Sequence, residues 1–195
     1  MKVSRQQFAA NRARILEAAA RLFREKGIDG VGLDAVMRAA GLTHGAFYSH
    51  FGSKDELVAE ACTQALAGAD ASWRTAEAPA AALARAYLTD THCTNRAEGC
   101  AFAALGGDGA RQGRAVRAAL GRGLEERVAA LAAALPGPPA AARRRALSTW
   151  AGLVGTLVLA RAVSDPAFAR EILRAGRAAF GAVPARRRRP VRSRA

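Results

Sequence analysis

The sequence predicts an all-α fold, a three-helix headpiece followed by a larger helical body, and three observations carry that reading. Apolar residues recur at steps of three and four along most of the 195 residues, the spacing that gathers them on one face of a helix. Gly and Pro punctuate the chain where such runs end, at Gly27, Gly41, Pro79, Pro136 and Pro166. Between Gly32 and Leu57 two short runs are joined by a turn containing glycine, the arrangement of a helix-turn-helix.

Taken in order, Phe8, Ile15, Ala19, Leu22 and Phe23 form the apolar stripe of a first helix over residues 6–26, with Arg12, Arg14, Arg21 and Arg24 mostly off it. Leu33, Val36, Met37 and Ala40 make a short second helix that Asp34 is expected to cap and Gly41 to stop. Thr43 is placed to cap the third helix by accepting a hydrogen bond from an amide two or three residues on. In that helix Phe47 and Phe51 fall one turn apart and face the core, which leaves His44 and Tyr48 on the opposite side. The headpiece is expected to span residues 1–52.

Ser53 with Glu56 spells a capping box for a helix over residues 54–74, roughly 30 Å at about 1.5 Å per residue. After a break at Glu77-Ala78-Pro79, residues 80–91 read as one helix carrying Leu83, Tyr87 and Leu88. Residues 92–109 read as a loop, a short helix over 100–105 and a glycine-rich stop. Val116, Leu120, Leu124, Val128, Leu131 and Leu135 then form a regular stripe that Pro136-Gly137-Pro138-Pro139 ends. The helix over 140–163 is basic at its start and then nearly apolar all round, with Gly152 and Gly155 allowing close approach of another backbone. Asp165-Pro166 gives the last helix an N-cap and a proline at its first position. A helix apolar on every face needs more cover than its own chain offers. The last two helices are therefore expected to meet a second copy through Trp150, Leu153, Val154, Leu157, Phe168, Ile172 and Phe180. Residues 53–184 are expected to form this second, dimerisation domain, and the arginine-rich 185–195 is too polar to bury and is expected to be disordered.

Residues 41–57, GLTHGAFYSHFGSKDEL, carry a more specific signal. Thr43, Gly45, Phe47, Tyr48, His50, Phe51, Lys54, Asp55, Glu56 and Leu57 fall without a gap on the pattern of the recognition helix and following helix start of the TetR family of transcriptional regulators, which this stretch resembles. The resemblance implies a ligand-responsive repressor, a homodimer on double-stranded DNA with a pseudo-palindromic operator. It assigns Tyr48, His50 and Lys54 to phosphates and leaves His44 and Ala46 to read bases, with Thr43, Gly45 and Arg38 beside them. Where the family often has Ser or Thr before the second helix, this chain has Gly32-Leu33-Asp34. The resemblance also implies an effector pocket in the helical body, for which Cys62, Trp73, Tyr87, Cys100, Phe102 and Leu105 are the lining candidates. With no obvious convergent charges, a hydrophobic effector is expected.

The formal charge of +14 favours an anionic partner. Its distribution is diffuse: residues 1–57 hold 9 Lys or Arg against 6 acids, and the last eleven residues hold 6 Arg and no acid. A sequence-indifferent, nucleoid-type DNA binder is the alternative that this charge suggests, and bulk-DNA competition separates the two. No nucleophile elbow, phosphate loop or paired carboxylates point to an enzyme, and no cofactor motif is present. His92, Cys93 and Cys100 lack the paired spacing of a metal site. Cys100, with Arg96 upstream and a short helix starting beside it, offers a second alternative, a thiol that senses oxidants or electrophiles. The polar N-terminus and the absence of any apolar run near 20 residues lead to an expected cytoplasmic protein with no membrane partner.

Overall fold

A computed structural model describes residues 4–67 and 78–181. Its elements are α1 (Arg5–Lys26), α2 (Leu33–Ala39), a 3-10 turn (His44–Ala46) leading into α3 (Phe47–His50), α4 (Lys54–Ala67), α5 (Pro79–Tyr87), α6 (Asp90–Thr94), α7 (Ala101–Gly109), α8 (Arg114–Ala134), α9 (Pro139–Ala162) and α10 (Pro166–Gly181). The all-α architecture holds, with no strand among the described residues. Trp73, the predicted continuation of α4 to Arg74 and the tail over 185–195 lie outside them.

Local chemistry sets the ends of the headpiece helices. Ser4 accepts the amide of Gln7 at 3.1 Å to start α1, and Gly27 ends it at φ 81°, donating to the Phe23 carbonyl. After α2, Gly41 sits at φ 69° and donates to Arg38, while Leu42 donates to Met37. This pair of back-reaching bonds is a Schellman stop, and its left-handed residue is one that glycine fills without a Cβ penalty. Two expected caps are absent. Gly32, not Asp34, precedes α2, and the Thr43 hydroxyl makes no capping bond because the chain enters α3 through a 3-10 turn. Half of the expected capping box before α4 forms: Glu56 donates its amide to the Ser53 hydroxyl at 3.1 Å, but its carboxylate accepts the amide of Gly52, one residue before the cap, at 2.8 Å.

Two cores follow. In the first, Ile15, Phe23, Val36, Met37, Phe47, Phe51, Leu57 and Val58 are buried together with Leu105 of α7 and Val116 and Ala119 of α8. In the second, Leu83, Tyr87 and Leu88 meet Val128 and Leu131 of α8, Trp150, Leu153 and Leu157 of α9, and Leu173 of α10. The stripe of α8 thus divides between both cores, and Leu124, at the crossover, is 38 % exposed.

The segment over 80–91 is two helices, not one. Thr89 caps α6 by accepting the His92 amide, and Arg177 donates to the Leu88 carbonyl left free at the break. The helix expected over 100–105 runs on through the glycines to Gly109. Asp108 is held there by the Ile28 amide, and Gly109 makes room for Leu120, which a Cβ would meet at 2.2 Å.

Candidate nucleic-acid interface and effector cavity

The headpiece divides its aromatic residues by face. Phe47 is fully buried and Phe51 is 2 % exposed, their rings stacked at 5.7 Å, whereas Tyr48 between them is 66 % exposed. Thr43, His44, Gly45 and Arg38 are exposed around it, and Ala46 is half-buried. His44 Nδ1 lies 2.5 Å from Asp34 Oδ1, so the acid expected to cap α2 instead holds the imidazole at the tip of the turn. His50 tucks under the start of α1, its ring 4.1 Å from that of Phe8. Burial, reinforced by the charge of Arg12, pushes His50 below the usual imidazole range and keeps it neutral at pH 7. Its Nδ1 is buried without a partner, so the N–H it can offer is on Nε2. Lys54 Nζ donates to the Ile28 carbonyl at 3.4 Å. Arg12 bonds Glu60 at 2.6 Å and lies over the Phe51 ring, fixing α1 to α4 behind this surface.

A cavity of about 430 Å³ opens between the two cores. Of the predicted lining residues, Tyr87 and Cys100 border it. Cys62 does not: it is buried in the first core, where desolvation raises its thiol to about 11. Leu105 is likewise packed in that core, and Phe102 lies outside the cavity wall. Trp150, expected between subunits, lines the cavity instead.

The cavity wall is also more charged than the sequence led us to expect. Glu17, Arg21 and Arg24 reach it from α1, Glu98 from the loop before α7, and Arg127 from α8. Arg21 and Arg24 share Glu98 at 2.8 and 3.6 Å, and Arg24, largely buried, has its guanidinium pKa lowered by desolvation. Sequence reasoning missed these because they come from elements far apart in the chain. Arg127 alone left a trace, a charge within the apolar stripe between Leu124 and Val128.

His92 acts as a bracket at the cavity edge. Its Nδ1 lies 2.6 Å from the Tyr87 carbonyl, and its Nε2 accepts the Cys100 amide at 2.9 Å. An acceptor role at Nε2 places the proton on Nδ1 and leaves a neutral ring, in keeping with a pKa lowered chiefly by burial. Both nitrogens are used, which removes this histidine from ligand chemistry. Beside it the Tyr87 ring stands edge-on to Trp150 at 5.9 Å, and burial drives its phenol far above the ordinary range.

Residues 15–61 match the family model described as bacterial regulatory proteins, tetR family. Over these residues the chain is similar to the TetR family. A curated relative, the HTH-type transcriptional regulator AcrR of Shigella flexneri, is 39 % identical over 57 residues, which cover 29 % of this chain. The match spans about a quarter (26 %) of that relative's length. The likeness of fold reaches further. NemR of E. coli in its reduced form superposes with a TM-score of 0.69 at 20 % identity, over 90 % of this chain and 98 % of that one. The multidrug binding protein EbrR, complexed with imidazole, gives 0.57 at 27 % identity, over 90 % and 97 %.

In this chain the residues expected at a subunit interface separate into two groups. Trp150, Leu153 and Leu157 are 4 % exposed or less and face the second core, and Phe180 folds onto Gly152 of its own chain. The outward apolar surface of α9 and α10 consists of Leu147, Val158, Leu159 and Phe168, between 41 and 60 % exposed, with Val154 and Ile172 half-buried at its edge. Among the described residues no cluster of His, Cys, Asp and Glu is arranged to hold a metal, and no helix is long and apolar enough to cross a membrane.

Proposed function

We propose that this protein is a homodimeric, ligand-responsive, sequence-specific DNA-binding regulator, a repressor released from a pseudo-palindromic operator by a small molecule. The observation that carries the reading is the division of faces in residues 43–51. Two buried phenylalanines anchor the segment while Tyr48, Thr43 and His44 stand outward on the side that can enter a major groove. Tyr48, the Nε2 of His50 and Lys54 are suited to phosphates, with Arg38 beside them, and His44 and Ala46 are suited to base edges. Gly45 lets the turn lie close to the duplex.

Two headpieces reading successive major grooves need centres roughly 34 to 36 Å apart or a multiple of that. The exposed apolar face of α9 with Phe168 supplies the surface through which two copies would set this spacing. Selection of bound fragments from random duplex DNA tests the reading directly: a two-fold-related motif is expected, preferred over bulk DNA by about 10³ or more. A double substitution Tyr48→Ala with Lys54→Ala that leaves operator affinity intact, or a selection that returns no motif, overturns it, and the second result favours nucleoid-type binding.

A second reading rests on the position of Cys100, which borders the cavity next to Tyr87 and at the start of α7. In it, a thiol reaction replaces ligand binding as the trigger. Cys100→Ser abolishes release of DNA by oxidants and electrophiles in that case and leaves it unchanged otherwise.

A further inference from the structure

Among the described residues, two donors on cavity-lining side chains lack a strong acceptor. Tyr87 is 8 % exposed, and among the described residues its hydroxyl has only the weakly accepting Cys100 thiol beside it and no oxygen or nitrogen acceptor; the buried Nε of Arg127 has no partner there either, its terminal nitrogen being committed to the Leu66 carbonyl at 2.6 Å. Buried donors left without an acceptor are disfavoured and uncommon, so a pair of them in one wall calls for an explanation. Both border the same indole: the Tyr87 ring is 5.9 Å from that of Trp150, and the Arg127 guanidinium lies 5.7 Å from it. A group with two acceptor oxygens fits such a site, because a guanidinium N–H cannot accept and a phenol can donate to the second oxygen.

The surroundings favour an anion over a neutral acceptor. Arg21, Arg24 and Arg127 outnumber Glu17 and Glu98 in the wall, and Glu98 is already shared by two of the arginines. The N-terminus of α7, a nine-residue helix, also opens here, with Gly99, Cys100 and Ala101 in the lining, and adds positive potential. Leu83, Ala86 and the Trp150 face provide apolar contact for the body of a ligand. The volume of about 430 Å³ suits a molecule of one or two rings.

We infer that the effector is a small aromatic carboxylate, its carboxylate received by Tyr87 Oη and Arg127 Nε and its ring packed against Trp150. This refines the ligand-responsive reading and rests on it for its regulatory meaning. It replaces the hydrophobic effector that the sequence led us to expect.

The test is calorimetric titration of the full-length protein with 1-naphthoate, 1-naphthylmethanol and 1-naphthylmethylammonium, which share a ring system and differ in charge. The carboxylate is expected to bind about tenfold or more tighter than the alcohol, as a charge-assisted bond outweighs a neutral one. Tyr87→Phe and Arg127→Lys should each erode that preference to about threefold or less. Tyr87→Phe should also raise the melting temperature of the free protein, since it removes an unmet donor without opening a cavity. Equal affinity for acid and alcohol, tighter binding of the ammonium compound, no binding by any of the three, or an undiminished preference in both variants overturns the inference. Titration needs no DNA, so the two readings fail separately. A protein that binds the carboxylate but selects no operator keeps this site and loses its regulatory role, and one that selects an operator but ignores the acids does the reverse.

Discussion

Asp34 places a carboxylate on the surface proposed to meet DNA and spends it on His44, at 2.5 Å. Replacing it with Asn removes a repulsive charge and frees the imidazole. Asp34→Asn is therefore expected to tighten nonspecific binding severalfold while relaxing selectivity at the base nearest His44 by about 1–3 kcal/mol, read by competition between operator variants. His92 makes the opposite kind of prediction, about stability. Its folded pKa lies below the unfolded value of about 6.5, so the stability it contributes is complete above that pH and is lost as pH falls toward the folded pKa. His92→Gln should cost about 1 kcal/mol at pH 7.5 and flatten the fall in melting temperature between pH 7 and 5. The phenylalanines of the headpiece were legible in the sequence because Phe47 and Phe51 recur at helical spacing beside a glycine stop. The partner of His44 was not, because nothing in a linear pattern says that a side chain at the start of one helix bends toward a turn ten residues away.

Helices α9 and α10 show where periodicity stops informing. With apolar residues on both sides of α9, spacing alone does not say which stripe faces inward. The stripe through Ala146, Trp150, Leu153, Leu157 and Ala160 proves to be core, and the stripe left outside is that of Leu147, Val158 and Leu159. Leu159→Glu, at 60 % exposure, should leave the monomer fold unchanged by circular dichroism and shift sedimentation from dimer to monomer. The two glycines of α9 also differ in what they do. A Cβ on Gly152 would lie 1.9 Å from the Phe180 ring, whereas Gly155 has nothing within 4 Å. Gly152→Ala should destabilise the α9–α10 pair by about 1–3 kcal/mol in denaturant titration. In the monomer Gly155→Ala should be neutral or stabilising by up to about 1 kcal/mol, since alanine is the better helix former.

At the scale of the molecule, the cavity borders α1 itself through Glu17, Arg21 and Arg24, so an occupant would press on the headpiece without any relay through α4. A coupling of about 1–3 kcal/mol would change DNA occupancy 5- to 150-fold. The division into headpiece and body was visible in the sequence, but their shared core was not, because Leu105, Val116 and Ala119 reach it from helices assigned to the body. Asp108 completes that union. It accepts the Ile28 amide at 3.1 Å, just past the end of α1, from the far end of a helix whose near end borders the cavity. Over nine residues, about 13 Å, α7 therefore spans like a strut from the cavity edge at Ala101 to the backbone just past α1. Asp108→Ala would unpin that strut, and such a protein should still take up its effector with unchanged affinity yet hold its operator whether the effector is there or not, as titration in the presence and absence of DNA would register.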